Sequence, residues 1–227
     1  MIKFSRSAVL AAVSSVALAS IAMAADPITL TAGASFINDH DLSNPGVTMM
    51  QFDTSLTPYT IDSVTSVSLI NLSHAAAGDL DASLIFIPDN PLDNPIQAYL
   101  FAGLNDGFFL KTCDFDGTYD FSNSSSTELQ AATLALGTTD SVPSDSYIPA
   151  SYYNAANPVA AVALSAALGG IDLSTGLLYL MFEDFQPGND GLIGGAELSL
   201  MVNGVPEPTS LGLLGAVGAI ALRRRVR

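Results

Sequence analysis

Residues 176–204 consist of two runs of strand-forming residues on either side of a turn-rich loop: GLLYLMFEDFQPGNDGLIGGAELSLMVNG (Gly176–Gly204). The second run alternates with a period of two, which is typical of a strand with one buried face. Its apolar set is Ala196, Leu198, Leu200 and Val202, and the opposite set is Glu197, Ser199, Met201 and Asn203. The first run is apolar on both faces until Glu183 and Asp184, which predicts a strand covered by a second sheet.

Four more segments have the composition of strands: VTMMQF (Val47–Phe52), VTSVSLINL (Val64–Leu72), LDASLIFIP (Leu80–Pro88) and PIQAYLF (Pro95–Phe101). LDASLIFIP is predicted to be central because its second face is apolar at its end. The segments PDNPLDNP, LNDG, FDGTYD and QPGNDG are predicted turns, since Gly, Pro, Asn and Asp favour reversals of the chain. This pattern predicts an all-β fold, a single β-sandwich or jelly roll.

Two Ala/Leu-rich segments do not fit the strand pattern. They are ELQAATLALG (Glu128–Gly137) and NPVAAVALSAALGG (Asn157–Gly170). We expect short helices or loops that cover the ends of the sandwich.

The N-terminal 24 residues have the three parts of a secretory signal peptide. Lys3 and Arg6 precede an apolar run that ends in Ala22-Met23-Ala24. A basic start, an apolar middle and an A-x-A site predict cleavage after Ala24. The alternative is an N-terminal membrane helix. The signal peptide predicts that the mature chain is exported.

The region between the two ends is strongly acidic. Of 22 acidic residues, all but Glu207 lie between Asp26 and Val205, where the only basic residue is Lys111. Such a surface repels nucleic acid and anionic lipid. It suits calcium, which takes oxygen ligands, although the acidity could also serve solubility alone.

The sequence has one cysteine, Cys113, and two histidines, His40 and His74. One cysteine excludes an intramolecular disulfide. A zinc site of the usual Cys/His type is also excluded, because one cysteine and two histidines are too few to provide its ligands. About 180 residues between the two ends are enough for one substantial hydrophobic core.

The C-terminal segment is VPEPTSLGLLGAVGAIALRRRVR (Val205–Arg227). Residues 210–222 are uncharged, but a permanent spanning helix needs about 20 apolar residues. The segment resembles a PEP-CTERM sorting signal in three features: its Pro-Glu-Pro motif, the short apolar run that follows, and the cluster of arginines at the end. The matching residues are Pro206, Glu207, Pro208, Arg223, Arg224 and Arg225.

This resemblance implies recognition and cleavage by an exosortase, in bacteria that make exopolysaccharide. The basic cluster would hold the orientation of a short, transiently inserted transmembrane helix. The alternative is a plain C-terminal anchor. The predicted organisation is therefore a signal peptide (1–24), a β-sandwich (25–204) and a sorting tail (205–227).

Five motifs between residues 35 and 204 resemble, in their order, the P domain (homo B domain) of proprotein convertases. They are SFINDHD, the strand–loop–strand region with His74 and Gly78-Asp79-Leu80, GTYDFSNSSS, SYIPA and the closing stretch. The resemblance implies a jelly-roll module. The chain departs from the family in having no tryptophan and in having Ser122 in place of a second aspartate.

Calcium is the cofactor that the acidic loops favour, at the ends of predicted strands where carboxylates could converge. The loops DFDGTYD and EDFQPGND do not have the EF-hand spacing, and the alternative is that these residues cap turns. The P-domain resemblance implies that Asp79 and Asp184 lie near bound calcium. The candidate ligands are Asp79, Asp116, Asp120, Glu183, Asp184 and Asp190.

Three tyrosines in SYIPASYYN, Tyr147, Tyr152 and Tyr153, are candidates for a platform on which sugar rings stack. The alternative is that they pack a loop. A hydrolase would depend on His40 or His74 as its base, or on an opposed pair of carboxylates. The chain has none of the usual nucleophile, phosphate-loop or metalloprotease motifs.

These patterns predict an exported protein of the cell surface or extracellular matrix with a structural or binding role and no enzymatic activity. The expected partners are the export machinery, an exosortase-type processing enzyme and exopolysaccharide, with no nucleic acid. The alternatives are a calcium-assisted carbohydrate-binding module and, less favoured, a secreted hydrolase.

Overall fold

In the computed structural model, two β-sheets contain more than half of the described residues. The structure describes residues 25–40, 46–54, 59–104, 113–151, 159–160 and 163–204. These residues belong to one unit, Ala25–Glu207. The predicted signal peptide and sorting tail lie outside the described residues.

The first sheet contains seven of the thirteen described strands. Its strands are β1 (Asp26–Ala32), β2 (Ser35–Ile37), β4 (Tyr59–His74), β7 (Phe115–Phe121), β8 (Ser146–Tyr147), β12 (Gly191–Ile193) and β13 (Gly195–Gly204). The order β1-β13-β4-β12-β2 is extended by β7, which pairs with β4 and with β8. The long β4 therefore organises this sheet.

The second sheet has six strands in the order β10-β9-β6-β5-β11-β3. They are β3 (Gly46–Gln51), β5 (Leu80–Pro88), β6 (Ile96–Ala102), β9 (Ala150–Ser151), β10 (Val159–Ala160) and β11 (Gly176–Asp184). The short helices α1 (Leu129–Leu134) and α2 (Leu164–Leu168) and the 3-10 turns Ala77–Asp79 and Leu173–Thr175 lie between strands. The prediction of an all-β sandwich is confirmed. Each Ala/Leu-rich segment contains a short helix, which was one of its predicted alternatives, but the second segment also contributes the short strand β10.

The hydrophobic core is built from the alternating faces that the sequence predicts. In β13, Ala196, Leu198, Leu200 and Val202 are all buried. In β11, Leu178, Leu180 and Phe182 are buried, whereas the opposite face is only partly covered. The strand β5 is central, between β11 and β6, as predicted. Burying these apolar faces is the main force that holds the two sheets together.

The segment FDGTYD, predicted as a turn, is part of strand β7, so that prediction was wrong. The register pairs Phe115 with His74 and Phe121 with Val67. Phe115, Tyr119 and Phe121 are buried, and the ring centroids of Phe101 and Phe115 are 5.2 Å apart. Burial of three alternating aromatic side chains outweighs the turn preference of Asp and Gly.

Along one line across the first sheet, the chain leaves the strand conformation between β1 and β2 and between β12 and β13, and β4 is irregular. The break between β1 and β2 falls at Gly33, and the break between β12 and β13 falls at Gly194. On β4 the matching irregularity is Asn71, which has φ 50°. Beyond this line, β2, β12, the end of β4 and the start of β7 form a short ribbon, here called the end ribbon.

None of the helices in the described part of the chain has the length and apolar character needed to cross a bilayer. The predicted transmembrane sorting helix falls on residues outside that part.

Candidate functional site

The inner face of the end ribbon is a row of four buried residues, one from each strand. Ile37, Gly191, His74 and Phe115 are direct neighbours in the register of β2, β12, β4 and β7. Gly191 has to lack a side chain here, because a Cβ atom would lie 2.8 Å from Cδ2 of His74 and 2.9 Å from Cβ of Ile37. The row therefore holds the imidazole in a fixed position inside the sandwich.

His74 contacts the other sheet through a buried carboxylate. Its Nε2 lies 3.3 Å from Oδ2 of Asp184, and both side chains are 0% exposed. Asp184 is the last residue of β11, and its Oδ1 accepts a hydrogen bond from the backbone N–H of Gln186. The contact links the two sheets at this end of the sandwich. Removing one partner would leave the other polar group buried without its counterpart, which is costly.

Asp79 is the third member of this buried cluster. It ends the 3-10 turn Ala77–Asp79, which connects β4 to β5. Its Oδ2 accepts a hydrogen bond of 3.2 Å from the Asn189 side chain, and its backbone carbonyl accepts one from Phe185. Among the residues that the structure describes, Oδ1 of Asp79 and Nδ1 of His74 have no hydrogen-bond partner.

The charges of the cluster are not independent. Burial raises the pKa of Asp79, and the neighbouring charge of Asp184 raises it further. His74 and the hydrogen bond from Asn189 act in the opposite direction. Two carboxylates thus share a buried site with one imidazole, so the site favours a proton or another cation at Asp79.

Directly outside the cluster, the outer face of the end ribbon carries an open depression of about 460 Å³. Phe36, Leu192 and Ser73 lie in one row across β2, β12 and β4 and face solvent. Asp39 and Asp190 also line the depression. Both carboxylate oxygens of Asp39 accept hydrogen bonds from the backbone N–H of Gly188, at 3.0 and 2.8 Å.

Of the six predicted calcium ligands, the structure brings only Asp79 and Asp184 together. Asp190 lines the outer depression, and Glu183 lies on the opposite face of β11 from Asp184. Asp116 is exposed on β7, where Asp120 accepts a hydrogen bond from Ser68. Within the described ranges, no group of three or more His, Cys, Asp or Glu residues is arranged to hold a metal ion.

The prediction that Tyr147 belongs to a sugar-stacking platform was wrong. This side chain is 1% exposed, and its hydroxyl donates a hydrogen bond of 2.6 Å to the carbonyl of Pro143. Burial raises its pKa to about 12, with Asp145 as a further cause. Tyr147 therefore packs the core, and its ring is not available to a sugar. Tyr152 and Tyr153 lie outside the described residues.

The residues predicted for processing also lie in parts of the chain that the structure does not describe. They are Ala22 and Ala24 for signal cleavage, and Pro206, Glu207, Pro208, Arg223, Arg224 and Arg225 for sorting. Cys113 is buried.

The sequence gives no direct sign of the exposed Phe36, because SFI (Ser35–Ile37) resembles any short strand with apolar residues. The side chain of Phe36 is 77% exposed. Only the register of β2 against β12 reveals that it stands beside Leu192 on the outer face.

Comparisons with known protein families, with curated proteins and with solved structures found no match. The function of the chain has to be inferred from its own residues and their geometry.

Replacing Gly191 by alanine is expected to destabilise the fold, because the added methyl group meets the His74 ring and Ile37 closer than van der Waals contact. We expect a loss of about 1–3 kcal/mol in the free energy of unfolding, measured by urea denaturation. Gly33→Ala is the control: nothing lies within 4 Å of its added Cβ, and the change should stay within about 0.5 kcal/mol. Equal stability of the two variants would contradict the packing described for Gly191.

Replacing Asp79 by asparagine is expected to stabilise the protein at pH 7, because the neutral amide avoids the burial of a charge beside Asp184. Because the pKa is raised in the folded state, the folded protein binds this proton more tightly than the unfolded chain. Ionised Asp79 therefore costs stability above the folded-state pKa, and the cost disappears as the pH falls below the ordinary value of 3.8.

The measurement is the unfolding midpoint of Asp79→Asn and native protein between pH 3 and pH 8, without divalent cations. The difference should shrink towards low pH. Asp26→Asn removes an exposed carboxylate from β1 and is the control for net charge. A less stable Asp79→Asn at pH 7 would mean that attraction to His74 exceeds the cost of burial.

Proposed function

We propose that this chain is an exported protein of the cell surface or extracellular matrix, with a structural or binding role and no catalytic activity. The basic, apolar and A-x-A parts of residues 1–24 support export. The PEP motif, the short apolar run and the arginines of residues 205–227 support sorting by an exosortase-type enzyme, with transient or permanent membrane attachment through this tail.

The observation that carries the non-enzymatic role is the burial of His74 and Asp184. A general base has to come within hydrogen-bond reach of the proton that it removes. Here both side chains are 0% exposed, and each is committed to the interior of the sandwich. The geometry favours a structural histidine over a catalytic one, and it disfavours a secreted hydrolase built on this pair.

We further propose that the sandwich is a jelly-roll-like module related to the P domain. The support is local. A strand ends in His74, a short turn holds Gly78 and Asp79, and a second strand starts at Leu80. The closing stretch supplies β11, β12 and β13, in line with the closing pattern of that family. In convertases the module stands beside a protease domain, and the role proposed for this chain rests on the surfaces of the module itself.

Mass spectrometry of the C-terminal peptide tests the sorting proposal. We expect the chain recovered from the surface or medium of its host to end near Pro206–Pro208, because the extended prolines present this motif to a peptidase. The membrane fraction of the same cells is the control. Protein that retains Arg227 and stays only in the membrane would show that the tail is an anchor.

Calcium-assisted binding is a second candidate function, which the unpartnered Oδ1 of Asp79 favours. Calcium takes six to eight oxygen ligands. Asp79, Asp184 and the side-chain carbonyl of Asn189 are the groups that would contribute to such a site, and the ion would offset the repulsion between the two carboxylates. Three of the four carboxylate oxygens already accept hydrogen bonds or contact His74, so calcium would compete with these partners.

Thermal unfolding with calcium tests this candidate. Since a ligand that binds only the folded state raises its stability, we expect calcium chloride to raise the unfolding midpoint more than magnesium chloride does. The increase should be lost in Asp79→Asn and retained in Asp26→Asn. An unchanged midpoint for the native protein at saturating calcium would exclude the cation from this role.

A further inference from the structure

We propose that the depression on the outer face of the end ribbon is a subsite for a neutral polysaccharide chain, with Phe36 as the platform for a sugar ring. That the protein meets a polysaccharide at all rests on the proposed cell-surface role. The binding itself is inferred from the side chains that line the depression.

The apolar part of the subsite is a pair of exposed side chains on neighbouring strands. Phe36 is 77% exposed and Leu192, its direct neighbour in the register, is 44% exposed. A single exposed apolar residue is ordinary, but an aromatic ring beside a second apolar side chain at an open depression is a feature of binding sites. The C–H face of a pyranose ring packs on such an aromatic face, while its hydroxyl groups remain at the rim.

The polar part of the subsite is held in place before any ligand arrives. The backbone N–H of Gly188 fixes the carboxylate of Asp39, and the backbone and side chain of Asn38 donate hydrogen bonds to Thr48 and Val47. Each carboxylate oxygen has more than one lone pair, so Asp39 can still accept from a sugar hydroxyl. Groups that are already ordered lose little conformational entropy on binding.

The floor of the depression is equally rigid, because Ile37 and Gly191 belong to both the lining and the buried row that holds His74. The volume of about 460 Å³ falls within the range of roughly 300–1,000 Å³ that small-molecule sites occupy. The lining thus combines one stacking surface with fixed acceptors on a built strand scaffold.

The charge of the lining selects among polysaccharides. Asp39 and Asp190 are both acidic, and the lining residues include no basic side chain. The surrounding protein is acidic as well, since the body of the chain carries almost all of its 22 acidic residues. An anionic glycan would be repelled. Stacking on Phe36 and hydrogen bonds to Asp39 require only a sugar ring with hydroxyl groups, so we assign a neutral polysaccharide to this surface.

Affinity electrophoresis of the purified full chain tests the proposal. The probes are three neutral polysaccharides, hydroxyethyl cellulose, dextran and a galactomannan, together with carboxymethyl cellulose. The last has the same glucan backbone as hydroxyethyl cellulose but carries negative charge. We expect at least one neutral probe to retard the native protein. If hydroxyethyl cellulose is such a probe, carboxymethyl cellulose should retard the protein less.

The variant that decides the question is Phe36→Ala, which should bind the retarding probe about tenfold more weakly. Phe36→Tyr keeps the ring and should restore binding. Phe185→Ala removes another exposed aromatic side chain, 48% exposed and not part of the lining, and should bind as the native protein does. An unchanged unfolding midpoint of Phe36→Ala would confirm that the loss of binding is local.

The proposal is overturned if no neutral probe retards the native protein, or if Phe36→Ala binds as well as the native chain. Loss of binding only in a Tyr152→Ala/Tyr153→Ala variant would also overturn it, because the sugar would then bind at those tyrosines. Failure of the sorting proposal is visible separately, as an intact C-terminus in the membrane fraction. A chain that keeps its tail can still pass the polysaccharide test.

Discussion

A buried polar contact between His74 of one sheet and Asp184 of the other constrains how the two sheets meet at one end of the sandwich. Most of the other buried side chains between the sheets are apolar, and their attraction has no preferred direction. The contact of 3.3 Å between Nε2 of His74 and Oδ2 of Asp184 is directional. It requires the last residues of β4 and β11 to lie opposite each other across the sandwich. Gly191 makes room for the imidazole, and Gly46 does the same for the backbone around Asp184. These glycines are therefore part of the contact.

The same constraint reaches the surface through the alternation of the strands. Because successive side chains of a strand point to opposite faces, fixing His74 and Gly191 inward fixes Ser73 and Leu192 outward. The outward position of Phe36 is fixed by Ile37 in the same way. The loop after β11 also connects the interior to the surface. Asn189 donates a hydrogen bond to Asp79 in the interior, and the neighbouring Gly188 donates one to Asp39 at the surface. The depression and the buried cluster are thus two sides of one ribbon.

The sequence predicts the layered β architecture well, because period-two alternation depends on burial, and burial is what the sandwich provides. β13 is the clearest case, with every predicted core residue buried. FDGTYD misleads because local turn preference favours a reversal, while pairing with β4, distant in the sequence, makes it a strand. Tyr147 misleads for a similar reason, since nothing in SYIPASYYN reveals the Pro143 carbonyl that accepts its hydroxyl. The cluster itself is half predictable: the P-domain resemblance points to Asp79 and Asp184, but their grouping with His74 depends on three segments meeting in space.

The acidity of the chain has opposite consequences on the two faces of the end ribbon. On the outer face, solvent screens the carboxylates of Asp39 and Asp190, so their charges reduce the stability of the fold only slightly. Both remain available as hydrogen-bond acceptors. On the inner face, Asp79 and Asp184 are buried, and burial together with their mutual repulsion raises the pKa of Asp79. A proton at Asp79 removes both the cost of burying its charge and the repulsion from Asp184. The same residue type therefore serves as a charged acceptor on the exposed face and is most stable in its neutral form at Asp79 on the buried face.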